Sequence, residues 1–251
     1  MTERTVMMLR ASVLASAAIL AALLPGQLRT AEEMRRGREG YMEIRKQAQT
    51  VTEEVPDVLA EGMTCTLDDT MRNINSDYIG WIEIPGTGIS YPVVQTDDNE
   101  EYLKKDFDGR NYAGGAIFMD CRCRPDMQGR NTLIYGHCMR DGSMFTDLGR
   151  FLEKEFLRNT GTVIITMNGR RYVYRVFSAY VAAPESNCFK AEFTSDYDYE
   201  RWLLDQKDRS VTESGVYPDR SDRIITLVTC YGDGSKRCVV QAALVRTEEA
   251  D

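Results

Sequence analysis

The chain has 251 residues, with 31 Lys and Arg against 39 Asp and Glu and a net charge of -8. Without a basic cluster in the body of the chain, that balance argues against nucleic acid as a partner. Thirteen tyrosines, eight phenylalanines and 43% hydrophobic residues exclude a disordered tail, and the length suits one catalytic domain plus an accessory segment at about 100–200 residues per domain.

The first segment, 1–30, contains the run VMMLRASVLASAAILAALL from Val6 to Leu24, near the ~20 residues a helix needs to cross a bilayer. The PGQLRTAEE that follows offers no small-x-small cleavage site, so the run reads as an uncleaved membrane anchor. Arg29, Arg35, Arg36 and Arg38 outnumber Arg4 and Arg10, a bias that opposes the positive-inside rule for an exported domain. Residues 31–70 read as a helical linker. Met34, Tyr41, Ile44 and Ala48 recur at helical spacing, with Gly37 and Gly40 weakening the helix.

From 71 to 251 the texture changes to short β-rich runs bounded by Gly, Pro, Asn and Asp. They are IGWIEI (79–84), ISYPVVQ (89–95), GAIFMD (115–120), NTLIYGH (131–137), TVIITM (162–167), RYVYRVFSAYVAA (171–183), IITLVTC (224–230) and RCVVQAALV (237–245). Eight such runs predict a barrel or a sandwich. Asn168-Gly169 reads as a hairpin turn between the fifth and sixth. One helix interrupts the pattern in TSDYDYERWLLDQKD, where Ser195 can cap, acids fill the first turn, and Tyr199, Trp202 and Leu203 share a face.

Chemistry concentrates at three positions. His137 is the one histidine of the chain, and the plain reading of a lone histidine in a β protein is a structural residue. Cys230 closes the seventh run and Arg237 opens the eighth across a short polar loop. A neighbouring cation lowers a thiol's pKa from about 8.5, and a guanidinium, always protonated, suits a developing oxyanion. Strand ends can converge on one rim of an antiparallel barrel, so these three can meet although far apart in sequence.

These residues resemble the class B sortases, cysteine transpeptidases that attach proteins to the cell wall of Gram-positive bacteria. The likeness runs from about Asn73 to Val245 through INSDYIGWIEIPGTGISYPVVQ, GGAIFMD, NTLIYGHCMRDGSMF and ITLVTC, the last similar to the family's TLxTC signature. The resemblance implies an eight-stranded sortase β-barrel with N-terminal helices and an extra helix between the sixth and seventh strands, around Asp196 to Asp208. It implies Cys230 as nucleophile on the carbonyl after the threonine of a sorting motif, His137 as the acid that protonates the leaving amine, and Arg237 as holder of substrate and oxyanion. Thr229 is the candidate substrate-binding residue, set against an ordinary strand threonine. The implied partners are sorting-motif-bearing surface proteins, an amine from a peptidoglycan precursor or a pilin, and the membrane through the N-terminal helix; no cofactor and no metal are implied. The implied location is the cell membrane, single-pass, with the catalytic domain extracellular.

Three features depart from the family pattern: the short Cys230–Arg237 loop, Cys138 beside the histidine, and Cys121 and Cys123 in CRCRPDMQGR. Seven cysteines leave at least one unpaired. They support a rival in which Cys121, Cys123, His137 and Cys138 hold zinc in a binding module, although neighbouring ligands seldom converge on one ion. A second rival keeps the enzyme but passes the acyl group to water, as a cysteine protease. A Cys230–Cys238 disulfide across the hairpin would silence the enzyme, but strand alternation turns Cys238 away if Arg237 faces the site. Asp141 and Asp233 read as turn residues rather than partners of the histidine.

Overall fold

A computed structural model describes residues 30–51, 66–211 and 213–250. Helix α1 covers 30–51, and α2 covers Leu67–Ile74, capped by Thr66, whose hydroxyl accepts from the Asp69 N–H while the Asp69 carboxylate accepts from the Thr66 N–H. Eight strands follow: β1 Tyr78–Glu83, β2 Ser90–Val94, β3 Ile117–Met119, β4 Asn131–Tyr135, β5 Thr162–Met167, β6 Arg170–Ala182, β7 Ile224–Tyr231 and β8 Lys236–Glu249. Helix α3, Lys154–Asn159, precedes β5, and α4, Asp196–Asp208, lies between β6 and β7. Each strand overlaps one of the runs read from the sequence. Asn168 and Gly169 both take positive φ, 50° and 67°, the left-handed pair that a two-residue hairpin turn requires. Ser195 caps α4 by accepting from the Asp198 N–H.

The strands close into a barrel in the order β1-β2-β3-β4-β7-β8-β6-β5. Its interior is filled by alternating apolar residues such as Ile82, Val163, Ile165, Ile225, Leu227 and Val240, none more than 1% exposed, so the barrel is a packed core and not a channel. Helix α4 lays Tyr199, Trp202 and Leu203 on Phe177, Ile224 and Ala243 of the outer wall. Two pairings are parallel, β2 with β3 and β4 with β7. A parallel pair cannot be joined by a tight hairpin, and residues 136–223 cross from β4 to β7 through a 3-10 helix at Thr146–Leu152, α3, the β5–β6 hairpin and α4.

Helix α1 docks on the barrel through Tyr41, Ile44 and Ala48, all buried in the main core. Gly37, which reads in the sequence as a weak point of the helix, lies where a Cβ would stand 2.3 Å from the Tyr112 ring. Absence of a side chain is what lets the helix approach.

The single-pass membrane location is corrected here. Among the described residues no helix is long and apolar enough to cross a membrane, and the anchor read from Val6 to Leu24 lies outside the described residues. The expectation is not retained.

Gly37→Ala is expected to lower stability by about 1–3 kcal/mol, the usual cost of overpacking a tight contact, read as a lower midpoint in thermal or urea unfolding. An unchanged midpoint would mean that α1 does not dock on Tyr112.

Candidate active site

Strand register builds the site. In the antiparallel β7–β8 pair Cys230 stands directly opposite Arg237, and Thr229 opposite Cys238. Directly opposed residues project on the same face, so thiol and guanidinium share one side of the sheet while Thr229 and Cys238 share the other. On the far side β4 runs parallel to β7 with Tyr135 level with Val228, and the Gly136 N–H donates to the Val228 carbonyl at 3.1 Å. His137 follows two residues beyond the end of β4, as Cys230 follows two residues beyond Val228.

Only glycine fits at 136. A Cβ there would stand 2.4 Å from Ile117 Cδ1 and 2.8 Å from the Phe145 ring. The loop beyond it is tied down by the Phe145 N–H donating to the His137 carbonyl at 2.9 Å and by a Cys138–Met144 bridge. The imidazole Nε2 lies 2.9 Å from the Leu103 carbonyl. Arg237 Nη1 donates to the carbonyls of Gly234 at 2.7 Å and Lys236 at 3.0 Å, which orients the guanidinium. Its Nε and Nη2 make no hydrogen bond among the described residues.

His137, Cys230 and Arg237 line one cavity of about 310 Å³ together with Asn99, Leu103, Phe118, Tyr135, Gly136, Val228 and Thr229. The structure therefore brings together the three residues singled out from the sequence. Thr229 also reaches the cavity, but it is 4% exposed, its hydroxyl has no partner among the described residues, and its side chain lies on the face away from Cys230. Asn99, Leu103, Phe118 and Tyr135 escaped the sequence reading. Leu103 contributes a carbonyl, which no residue type announces, and Phe118 and Tyr135 look like ordinary strand aromatics until their pairing on adjacent strands, with ring centroids 5.3 Å apart, places them on the cavity wall.

Tyr135 is held from behind. Its hydroxyl donates at 2.8 Å to Asp120, a fully buried carboxylate at the end of β3. Asp120 also accepts from the Arg122 backbone N–H and from Arg122 Nε and Nη2 at 2.7–2.9 Å. Burial alone would raise the Asp120 pKa; the hydrogen bonds from Arg122 and Tyr135 outweigh it and hold the group at about 2.

The remaining cysteines separate by burial. Cys238 is fully buried, its thiol donates to the Leu148 carbonyl at 3.5 Å, and burial pushes its pKa to about 12. Cys123 is buried as well and rises for the same reason to about 11, and burial also raises Cys188. The six described cysteines are all free, so the Cys230–Cys238 disulfide is not formed, and alternation keeps those side chains on opposite faces. No three His, Cys, Asp or Glu groups gather into a metal-holding cluster among the described residues, which leaves the zinc rival without geometry. Asp141 accepts from the Ser143 N–H and hydroxyl, and Asp233 from the Ser235 N–H; both are turn residues.

The chain is similar to known proteins. Residues 82–245 match the family model described as Sortase domain. The chain is 35% identical over 181 residues to sortase B of Staphylococcus aureus, covering 71% of this chain and 74% of the relative. It is 37% identical over 180 residues to sortase B of Listeria monocytogenes, covering 70% and 72%. Among solved structures it is similar to a Staphylococcus aureus sortase B–substrate complex, with a TM-score of 0.77 and 31% identity over 86% of this chain and 99% of the other.

Asp120 generates an acid signature. Its folded pKa is depressed below the unfolded value of ~3.9, so its contribution is present above pH ~4 and is lost as pH falls through about 2. Asp120→Asn should be less stable than the parent at neutral pH, with the gap closing between pH 4 and 2 in urea unfolding; a gap independent of pH would remove the charge from the account. Timed alkylation with iodoacetamide and peptide mapping should label Cys230, Cys138 and Cys121 well before Cys123, Cys188 and Cys238. Equal labelling of the two sets in folded protein would contradict the burial pattern.

Proposed function

The chain belongs to the sortase family, in its class B branch, and is a cysteine transpeptidase; from that premise we propose that Cys230, His137 and Arg237 carry the reaction. The observation that supports the assignment is one cavity lined by all three: an antiparallel pair sets Cys230 across from Arg237, and the β4–β7 register, which ends at Tyr135 and Val228, runs on toward His137 and Cys230. The substrates are proteins bearing a sorting motif, and the acceptor is an amine.

Cys230 attacks as a thiolate on the carbonyl carbon that follows the motif's threonine. The carbonyl electrons move to oxygen, and the resulting oxyanion receives hydrogen bonds from Arg237 Nε and Nη2, the two donor groups that the loop carbonyls leave free. The guanidinium is pre-positioned by its Nη1 bonds to Gly234 and Lys236, so little reorganisation accompanies charge development. Collapse of the intermediate breaks the peptide C–N bond, and the departing nitrogen takes a proton from His137. A thioacyl enzyme remains. The incoming amine then attacks the thioester carbon, gives up a proton to His137, and expels the Cys230 thiolate as the new amide forms. One imidazole thus serves as acid in the first half and base in the second.

The Leu103 carbonyl bears on which nitrogen does this. A carbonyl only accepts, so the contact at 2.9 Å places a proton on Nε2 and leaves Nδ1 as the nitrogen that exchanges protons with the substrate. Thr229 contributes to the cavity wall by its position beside Cys230, with its hydroxyl turned away. Phe118, Tyr135 and Val228 give the cleft an apolar part of its lining.

Intact-mass spectrometry with sorting peptides and a glycine-based amine tests the assignment. The parent should form a thioacyl adduct that moves to the amine, and Cys230→Ala should form none while keeping its fold; cleavage by that variant would sink the mechanism. Without amine the same adduct should pass slowly to water, and product passed only to water even with amine present would favour the protease reading. Arg237→Lys is expected to lose about 10²- to 10³-fold in turnover, as when one oxyanion donor is removed, because an ammonium lacks the planar fork. Near-normal turnover in Arg237→Lys would take that residue out of the catalytic set.

A further inference from the structure

A second cavity, of about 300 Å³, lies between α1 and the loop that follows His137. Its cationic wall comes from Arg35, Arg38 and Arg45 of α1, and Tyr91, Tyr112 and Ser143 face them. The three guanidiniums are not equivalent. Arg35 is matched on both sides by Glu32 and Glu39, each at 2.7 Å. Arg38 meets an acid only at 3.8 Å, from Asp141, and makes no hydrogen bond among the described residues. Arg45 has no carboxylate partner there at all. It donates to the backbone carbonyls of Ser90 at 2.8 Å and Gly88 at 3.1 Å and lies 4.3 Å over the Tyr91 ring, which leaves Nη1 without a partner. Arg45, with no carboxylate partner among the described residues, and Arg38, held only by the long contact to Asp141, therefore face one small cavity that Glu39, already paired with Arg35, also lines.

The opposite wall carries a donor that is only loosely used. Tyr112 is 2% exposed, and its buried hydroxyl meets no partner at hydrogen-bond distance among the described residues, with only a loose interaction with Ser143. Ser143, beside it, gives its own hydroxyl to Asp141 at 2.6 Å. The ring cannot turn away: a Cβ at Gly37 or Gly114 would stand 2.3 and 2.4 Å from it, so two glycines clamp it from both sides. Burial raises the phenol's pKa, which keeps it protonated and able to donate.

We propose that this cavity is an anion-binding site that takes a carboxylate or phosphate group carried on a larger ligand, through the Arg38 and Arg45 guanidiniums and the Tyr112 hydroxyl. Charge-assisted donors converging on a space of this size, at the small end of ligand pockets, suit an oxyanion and reject a cation. The tyrosine rings offer an apolar face to the remainder of the ligand. Occupancy bears on catalysis, because Ser143 and Met144 line the cavity within the loop that holds His137. Tyr91 joins the two directly: its hydroxyl accepts from the Met144 N–H at 2.9 Å, and the next residue, Phe145, donates to the His137 carbonyl. This coupling rests on the transpeptidase reading, whereas the binding does not.

Calorimetric titration of the full chain with inorganic phosphate, and separately with glutarate, tests the site. One anion per chain should bind. Affinity should fall about tenfold in Arg38→Gln, in Arg45→Gln and in Tyr112→Phe, the loss of one charge-assisted or buried hydrogen bond in each, and should be unchanged in Cys230→Ala. Arg45→Gln also removes two bonds to backbone, so the unfolding midpoint is measured for each variant; Arg38→Gln removes no hydrogen bond and serves as the variant that keeps its fold. Phosphate binding without glutarate binding assigns a phosphate-bearing ligand, and the reverse assigns a carboxylate-bearing one. Failure of both anions to bind, or undiminished affinity in Arg38→Gln and Arg45→Gln, would overturn the site. Saturating anion should change transpeptidation turnover at least threefold; constant turnover with binding intact would overturn the coupling alone, and an enzyme that acylates with no peptide would instead count against the transpeptidase assignment.

Discussion

The parallel pairing of β4 with β7 is the constraint on which the rest of the molecule depends. In a barrel of hairpins, the end of one strand meets the start of the next. Here two strands separated by nearly ninety residues of chain run in the same direction, so both end at the same rim. One end carries the imidazole, the other the thiol. The antiparallel partner β8 then begins where β7 ends, and its second residue is the arginine. Cys230 and Arg237 sit on paired strands, and His137 lies two residues past the end of β4 in a segment tied to β7 by the Gly136 N–H, an arrangement that limits their relative motion and suits the proposed reaction.

Supporting that pairing costs side chains their freedom. Gly136 lets the backbone pass between Ile117 and Phe145 where any Cβ would collide. Behind the cavity wall, Asp120 is an anion with no exposure, stable there because Arg122 and Tyr135 satisfy it from several directions. A buried carboxylate without such partners would neutralise or force a rearrangement. The network instead fixes the tyrosine at the edge of the site and the first turn of the loop that leads into β4.

Strand alternation also explains how Cys230 and Cys238, eight residues apart on paired strands, come to differ in exposure. Cys238 is sequence neighbour to Arg237 but faces the barrel interior, and Cys123 and Cys188 are sealed in apolar surroundings. Burial raises all three pKa values, so little thiolate forms there, while Cys230 stands partly open to solvent beside a guanidinium. Burial separates Cys123, Cys188 and Cys238 from the more accessible Cys121, Cys138 and Cys230, and strand alternation accounts for the contrast between Cys238 and Cys230.

Much of the fold was legible from residue order, because the signals involved are local. Short β-rich runs bounded by Gly, Pro, Asn and Asp marked all eight strands, Asn168-Gly169 marked a hairpin, and Ser195 with its acids marked the start of α4; the resemblance carried by TLVTC and YGH then named the family and its catalytic candidates. Local patterns misled where the meaning of a residue depends on what lies across from it. Gly37 reads as a flaw in a helix and is the point of contact with Tyr112, and Thr229 reads as a neighbour of the nucleophile while its side chain lies on the other face of the strand; the apolar run of Val6 to Leu24 lies outside the described residues. The sequence by itself determined the elements and the chemistry available to them, since these follow from backbone preference and side-chain type. Only the tertiary structure decided that His137, Cys230 and Arg237 meet, that a backbone carbonyl at Leu103 orients the imidazole, and that α1 closes a cationic cavity beside the same loop, because those outcomes depend on register and closure between segments far apart in the chain.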